Sequence, residues 1–159
     1  MRSTQELIDT CRAAGMRVTA QRRAIFEVLV GNGQHPTAEE VFRAARRKAR
    51  GLSLATVYNT LETLHSLGEL GRLRLPGGGP RDATKGTGTT ADRFDSETRP
   101  HHHFRCERCD RVFDAFGDLP LPQLEGLEGC QVSRVELSLA GRCSACADVA
   151  GPTARARTP

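Results

Sequence analysis

Four of the six cysteines stand as two Cys-x-x-Cys pairs, Cys106-Glu-Arg-Cys109 and Cys143-Ser-Ala-Cys146, with 33 residues between them. Each pair presents two thiolates to one ion, and two pairs complete a closed tetrahedral sulfur site of the structural-zinc kind. The interval exceeds the loop of a short zinc ribbon, so it must be a folded unit whose ends meet. A redox dithiol, or a set of unligated buried thiols, is the competing reading. Cys11 and Cys130 stand apart and are expected to be buried and inert.

Paired thiols kept for a metal imply a reducing compartment, because in a small secreted chain the same cysteines would be read as disulfides. No apolar run approaches the roughly 18 residues that cross a bilayer, and the segment 1–10 lacks the apolar core of a secretory signal. The cytoplasm is the expected location, with no membrane partner. With 159 residues, 38% hydrophobic and 26% charged, the chain suits one mid-sized or two small globular domains. Net charge is +4 but uneven: residues 1–85 carry 14 Lys and Arg against 8 Asp and Glu, whereas 86–159 carry 9 against 11. The basic half is the candidate for a polyanionic partner.

That half reads as four helices. Thr4 to Ala14 places Leu7, Ile8 and Cys11 at helical spacing and stops at Gly15. Thr19 caps a second helix carrying Ile25, Phe26, Val28 and Leu29. Thr37-Ala-Glu-Glu40 is a capping box opening a third, with Val41, Phe42 and Ala45 on its apolar side, that ends near Gly51. Ser53 caps the fourth, where Leu54, Val57, Leu61, Leu64 and Leu67 recur at three- and four-residue steps and Thr56, Tyr58, Asn59, Thr60 and Thr63 lie elsewhere around the barrel. A strand at 70–75 sets Leu73 and Leu75 against Arg72 and Arg74, and Arg93-Phe-Asp95 is its return. Helices followed by such a pair suggest a winged helix. Residues 76–91, rich in Gly, Pro and Thr, read as a long flexible wing tip.

The expected fold is therefore α+β: a winged helix-turn-helix domain over 1–96, an α/β dimerisation and metal-sensing domain over 97–150, and a disordered tail over 151–159. In the second domain, strands are expected at 101–105, 111–116 and 131–139, and a short helix around Leu121 to Leu127.

His101-His-His103 leads into the first cysteine pair. On a strand, His101 and His103 share one face, while His102, Phe104 and Cys106 share the other, so the parity separates two sites. Taken alone, a His triplet is more often solvated surface, His35 an ordinary loop histidine, and Asp95 and Asp114 bland carboxylates.

Set together, Thr19-Ala-Gln-Arg22, His35-Pro-Thr-Ala-Glu39, Ser53-Leu-Ala-Thr-Val-Tyr-Asn-Thr-Leu61, His101 to Cys109 and the final Cys-x-x-Cys strongly resemble the ferric uptake regulator family over roughly residues 5–146. The resemblance implies a winged-helix repressor, a homodimer, structural Zn²⁺ on Cys106, Cys109, Cys143 and Cys146, and regulatory Fe²⁺ or Mn²⁺ on His35, Asp95, His101, His103 and Asp114. Aspartate at both carboxylate positions is most like the peroxide-sensing branch, in which Fe²⁺-dependent oxidation strikes a ligand histidine, here His35 or His101. An iron- or zinc-responsive uptake repressor of the same family is the alternative. The resemblance further implies that the fourth helix reads a near-palindromic double-stranded operator. Thr56, Tyr58, Asn59 and Thr63 are candidates at the bases, and Arg17, Arg22 and Arg23 at phosphates, with Arg72, Lys85 and the Arg46–Arg50 cluster as further cations. Three imidazoles and two carboxylates suit Fe²⁺ or Mn²⁺. A zinc deaminase would need a His-x-Glu and a Pro-preceded Cys-x-x-Cys, which this chain lacks, so no enzyme is expected.

Overall fold

The computed structural model describes residues 2–75, 92–118, 126, 129–131 and 137–147. The expected wing tip, the tail, the helix at 121–127 apart from Gly126, and 132–136 of the third expected strand lie outside the described residues. Contacts divide the chain into two compact units, 1–101 and 102–159, so the division falls beyond the Ser96 expected.

In the first unit, α1 (Thr4–Ala13), α2 (Ala20–Leu29), α3 (Ala38–Ala45) and α4 (Leu54–Ser66) precede a two-stranded antiparallel sheet, β1 (Gly71–Leu73) with β2 (Arg93–Asp95). Each helix starts where a hydroxyl is available to satisfy an otherwise orphaned backbone N–H. Ser3, Thr19, Thr37 and Ser53 accept from Glu6, Arg22, Glu40 and Thr56 respectively. Both Ser3 and Thr37 form full capping boxes, with Glu40 accepting the Thr37 N–H at 2.8 Å. The third helix is shorter than its sequence pattern suggests, ending at Ala45 and giving way to turns before Gly51.

The apolar faces meet in one core of Ile8, Cys11, Ile25, Phe26, Leu29, Val41, Val57, Leu61 and Leu64, joined by Leu70 and Phe94 from the sheet. Burying each large side chain is worth about 1.5–3 kcal/mol against exposure. Thr60, expected away from the apolar stripe, is fully buried; its hydroxyl donates to the Thr56 carbonyl at 2.7 Å, which removes the cost of burying it. Gln21 is the tie that sets the start of α4: its amide donates to the Gly51 carbonyl at 2.9 Å. Gly51 itself sits at φ +71°, a left-handed turn that glycine makes without strain.

In the second unit, β3 (His102–Cys106) and β4 (Val112–Ala115) form an antiparallel hairpin, and β5 (Ser138–Gly141) joins the other edge of β3 in parallel. A four-residue helix, α5 (Ser144–Ala147), follows directly. Among the described residues of this unit, Cys106, Cys143 and Cys146 are buried with Phe104 against them, and Val112 is buried as well. Cys130, expected to be buried, is exposed; it follows Gly129, which turns at φ +78°, and so lies on a surface bend.

Candidate metal centres

The first cysteine pair sits at the hairpin between β3 and β4. Asp110 N–H donates to the Cys106 carbonyl at 2.9 Å and Cys106 N–H to the Arg111 carbonyl at 2.8 Å. Asp110 takes φ +59°, a left-handed conformation that a short polar side chain tolerates. Parallel pairing then brings the second cysteine pair alongside, since Cys106 is in register with Gly141 and Glu107 N–H donates to the Gly141 carbonyl at 2.7 Å. One ligand atom from each of Cys106, Cys109, Cys143 and Cys146 lies within 4.8 Å of the others.

Four sulfurs about 2.3 Å from a zinc ion stand about 3.8 Å apart along a tetrahedral edge. The Cys109 and Cys143 sulfurs are 3.8 Å apart. Donors surround them: Cys143 N–H reaches the Cys106 sulfur at 3.4 Å, and Arg111 reaches the Cys109 and Cys143 sulfurs at 3.5 and 3.9 Å. Burial pushes the Cys106 thiol up, but the backbone N–H groups of Cys143, Cys109 and Arg108 outweigh it and hold it at about 6. Burial raises Cys146 to about 12. The donor set fits an ion that takes sulfur, and Arg111 was not singled out from the sequence because a lone surface arginine carries no pattern.

The second set of candidate ligands is divided by the chain itself. Within the first unit, Asp95 ends β2 with one carboxylate oxygen 3.0 Å from His101 Nε2 and the other 3.6 Å from His35 Nε2, so a single carboxylate stands between two imidazoles. His35 is buried to 1% exposure and adopts φ +47°, which is uncommon for a residue with a Cβ. Two hydrogen bonds hold it there: Arg93 donates to its carbonyl at 3.1 Å, and Phe94 N–H donates to the Pro36 carbonyl at 3.0 Å as part of the Thr37–Arg93 bridge. Gly71 lies opposite Asp95, and a Cβ there would come 3.3 Å from the Asp95 Cβ, so the missing side chain is what lets the carboxylate sit where it does.

Within the second unit, His103 and Asp114 are register partners on β3 and β4, with Nε2 and Oδ1 3.9 Å apart. Phe104, the next residue, faces the sulfur cluster, as strand parity requires. Donor atoms about 2.1 Å from one ion stand roughly 3 Å apart when adjacent and roughly 4 Å when opposite, the range that each group spans.

The candidate DNA-facing residues all lie in the first unit. Tyr58 and Asn59 are exposed on α4; Thr56 and Thr63 are half-buried, with the Thr63 hydroxyl donating to the Asn59 carbonyl at 2.7 Å and the Thr56 hydroxyl 2.8 Å from that of Ser53. Arg17 and Arg23 are exposed, while Arg22 donates to the Arg17 carbonyl at 2.6 Å. Arg72 is paired with Glu62 and Asp92 and is only 24% exposed. Glu39, part of the His35-Pro-Thr-Ala-Glu39 motif but not among the residues expected to face DNA, accepts a 2.7 Å hydrogen bond from the Tyr58 hydroxyl.

Helices closed by a two-stranded sheet, followed by a β-unit with a four-cysteine cluster, define a winged-helix protein with a metal-binding partner domain. The sequence pattern described as the Ferric uptake regulator family matches residues 13–138, and the chain belongs to that family. The chain is 34% identical over 146 residues to the peroxide operon regulator of Bacillus subtilis (strain 168), covering 89% of this chain and 92% of that protein. It is 30% identical over 151 residues to the peroxide-responsive repressor PerR of Staphylococcus aureus (strain USA300), with 91% of each covered. Among solved structures it resembles the Helicobacter pylori ferric uptake regulator at a TM-score of 0.67 and 17% identity, over 94% of this chain and 97% of that one. The Vibrio cholerae ferric uptake regulator matches at 0.59 and 26%, over 85% and 98%.

Proposed function

We propose that the chain is a metal-dependent, peroxide-responsive transcriptional repressor, acting in the cytoplasm as a homodimer on a near-palindromic double-stranded operator. The observation that carries the reading is Asp95 set between His35 and His101, with His103 and Asp114 paired two residues further along the chain. The kinship with peroxide regulators at 30–34% identity over most of the chain supports the signal.

In this reading, Cys106, Cys109, Cys143 and Cys146 hold structural Zn²⁺, and His35, Asp95, His101, His103 and Asp114 together hold Fe²⁺ or Mn²⁺. A ferrous ion held by these residues would supply the redox chemistry that activates peroxide. His35 or His101 would be the group oxidised, its ring C–H becoming C–OH while peroxide is reduced and its second oxygen leaves as water. The oxidised ring is a poorer donor, so the five-residue set comes apart. Because those five residues belong to two units, binding one ion restricts how the units are oriented, and its loss removes that restriction. Arg17, Arg22 and Arg23 meet phosphates, and Thr56, Tyr58, Asn59 and Thr63 face the major groove. Phe113 and Leu139 flank Phe104 across the sheet and are both 38% exposed, an apolar row suited to a second copy of the chain. The protein is a regulator, and each oxidation is spent on itself.

The test loads the protein with Fe²⁺ or Mn²⁺, treats it with low peroxide, and reads operator binding and peptide mass together. Loss of binding only with Fe²⁺, with one added oxygen on a peptide containing His35 or His101, is expected. Binding that survives with unchanged mass leaves a plain metal-uptake repressor.

A further inference from the structure

The hydroxyl of Tyr58 has one hydrogen to donate, and it is directed at Glu39: the phenol donates to the Glu39 carboxylate at 2.7 Å. Tyr58 projects from α4 with 46% of its surface exposed. Glu39 belongs to the first turn of α3, two residues after Thr37, whose own start is fixed by the capping box and by the bridge to Arg93. The same hydrogen bond holds the Glu39 carboxyl below its usual range and, with partial burial and the charges of Glu39 and Asp92, raises the phenol. The pair is thus a carboxylate and a neutral phenol across the neutral pH range.

A phenol whose proton is committed can only accept at its remaining lone pairs. In the major groove, adenine N6 and cytosine N4 offer donors, whereas guanine shows N7 and O6 and thymine O4, all acceptors. We propose that Glu39 is a specificity-positioning residue: it fixes the Tyr58 ring from α3 and restricts its hydroxyl to reading an exocyclic amino group, adenine N6 or cytosine N4. This rests on the DNA-binding reading above.

The chain has one tyrosine and no tryptophan, so its phenolate absorbance reports Tyr58 alone. In the intact metal-loaded protein, Glu39→Gln and Glu39→Ala should both lower the phenol titration midpoint toward that of a free tyrosine. An unchanged midpoint in both means that the hydrogen bond is not made in solution, and overturns the proposal.

The second measurement selects duplexes from a random-sequence library with the Mn²⁺-loaded wild type, then replaces each adenine by purine, or each cytosine by 2-pyrimidinone, which lack the amino group. One such replacement should weaken the wild type at least about fivefold and leave Tyr58→Phe and Glu39→Ala, which removes the acceptor, nearly indifferent, with the double variant no different from either single one. Glu62→Ala, which removes an equal charge from α4, should keep the wild-type preference. If Glu39→Ala keeps the full discrimination that Tyr58→Phe loses, Glu39 has no such role. Failure of the wild type to select any sequence would overturn the DNA-binding reading itself, and this proposal with it.

Discussion

At the scale of the single residue, His35 shows how backbone and chemistry are joined. Its φ of +47° is held by the Arg93 and Phe94 bonds on either side of Pro36, and that conformation turns the imidazole toward Asp95. Asparagine accepts the left-handed region far better than a β-branched residue does. His35→Asn is therefore expected to keep the fold while weakening Mn²⁺ binding at least about tenfold in a metal titration. His35→Val loses the ligand and adds about 1–3 kcal/mol of backbone strain, visible as a further drop in melting temperature. Equal melting of the two variants would mean that φ at this position carries no strain. The residue types at 35, 95, 101, 103 and 114 were legible through the family resemblance. Neither the left-handed turn nor the short side of Gly71 facing Asp95 was, because both depend on which strand lies opposite.

Among the elements, α4 has the most to hold in place. Its first turn relies on Ser53, which accepts from Thr56 N–H at 3.1 Å, and on the Gln21 amide that fixes the Gly51 carbonyl just before it. Ser53→Ala is expected to cost about 1 kcal/mol. Faster hydrogen exchange confined to the first turn of α4 would locate the loss there; a uniform change across the unit would contradict it. The second, third and fourth helices were readable because hydroxyl caps and apolar spacing coincide at their starts; the first was placed by its apolar spacing and its stop at Gly15, and its Ser3 cap appears only in the structure. The early end of α3 at Ala45 and the burial of Thr60 were not, since both follow from what packs alongside. The parallel pairing of β5 with β3 also lay beyond the sequence pattern, which carries no record of which strands are neighbours.

For the whole molecule, the described cores of the two units differ. The first has an apolar core of more than a dozen side chains; among the described residues of the second, three cysteines are buried together with Phe104 beside them. Binding energy at such a structural zinc site is folding energy. Cys109→Ser, or removal of zinc by a strong chelator, is therefore expected to unfold the second unit while the helices of the first keep their slow hydrogen exchange. Retention of slow exchange in β3 and β4 after zinc removal would show that the strands stand without the ion. The recognisable spacing of Cys106, Cys109, Cys143 and Cys146 made this centre the most legible part of the chain.

By itself the sequence determined where the helices of the first unit begin and most of the side chains that face its core, and it marked the two Cys-x-x-Cys pairs, because these depend on local spacing and on side-chain type; the burial of Thr60 and the exposure of Cys130 did not follow from it. Only the tertiary structure decided which side chains become neighbours: that Cys109 and Cys143 stand 3.8 Å apart, that one carboxylate lies between His35 and His101, and that Glu39 accepts the hydrogen bond of the Tyr58 hydroxyl. None of these pairs follows the spacing of one helix or one strand, and a sequence pattern with a period of two or 3.6 residues has no means of encoding them.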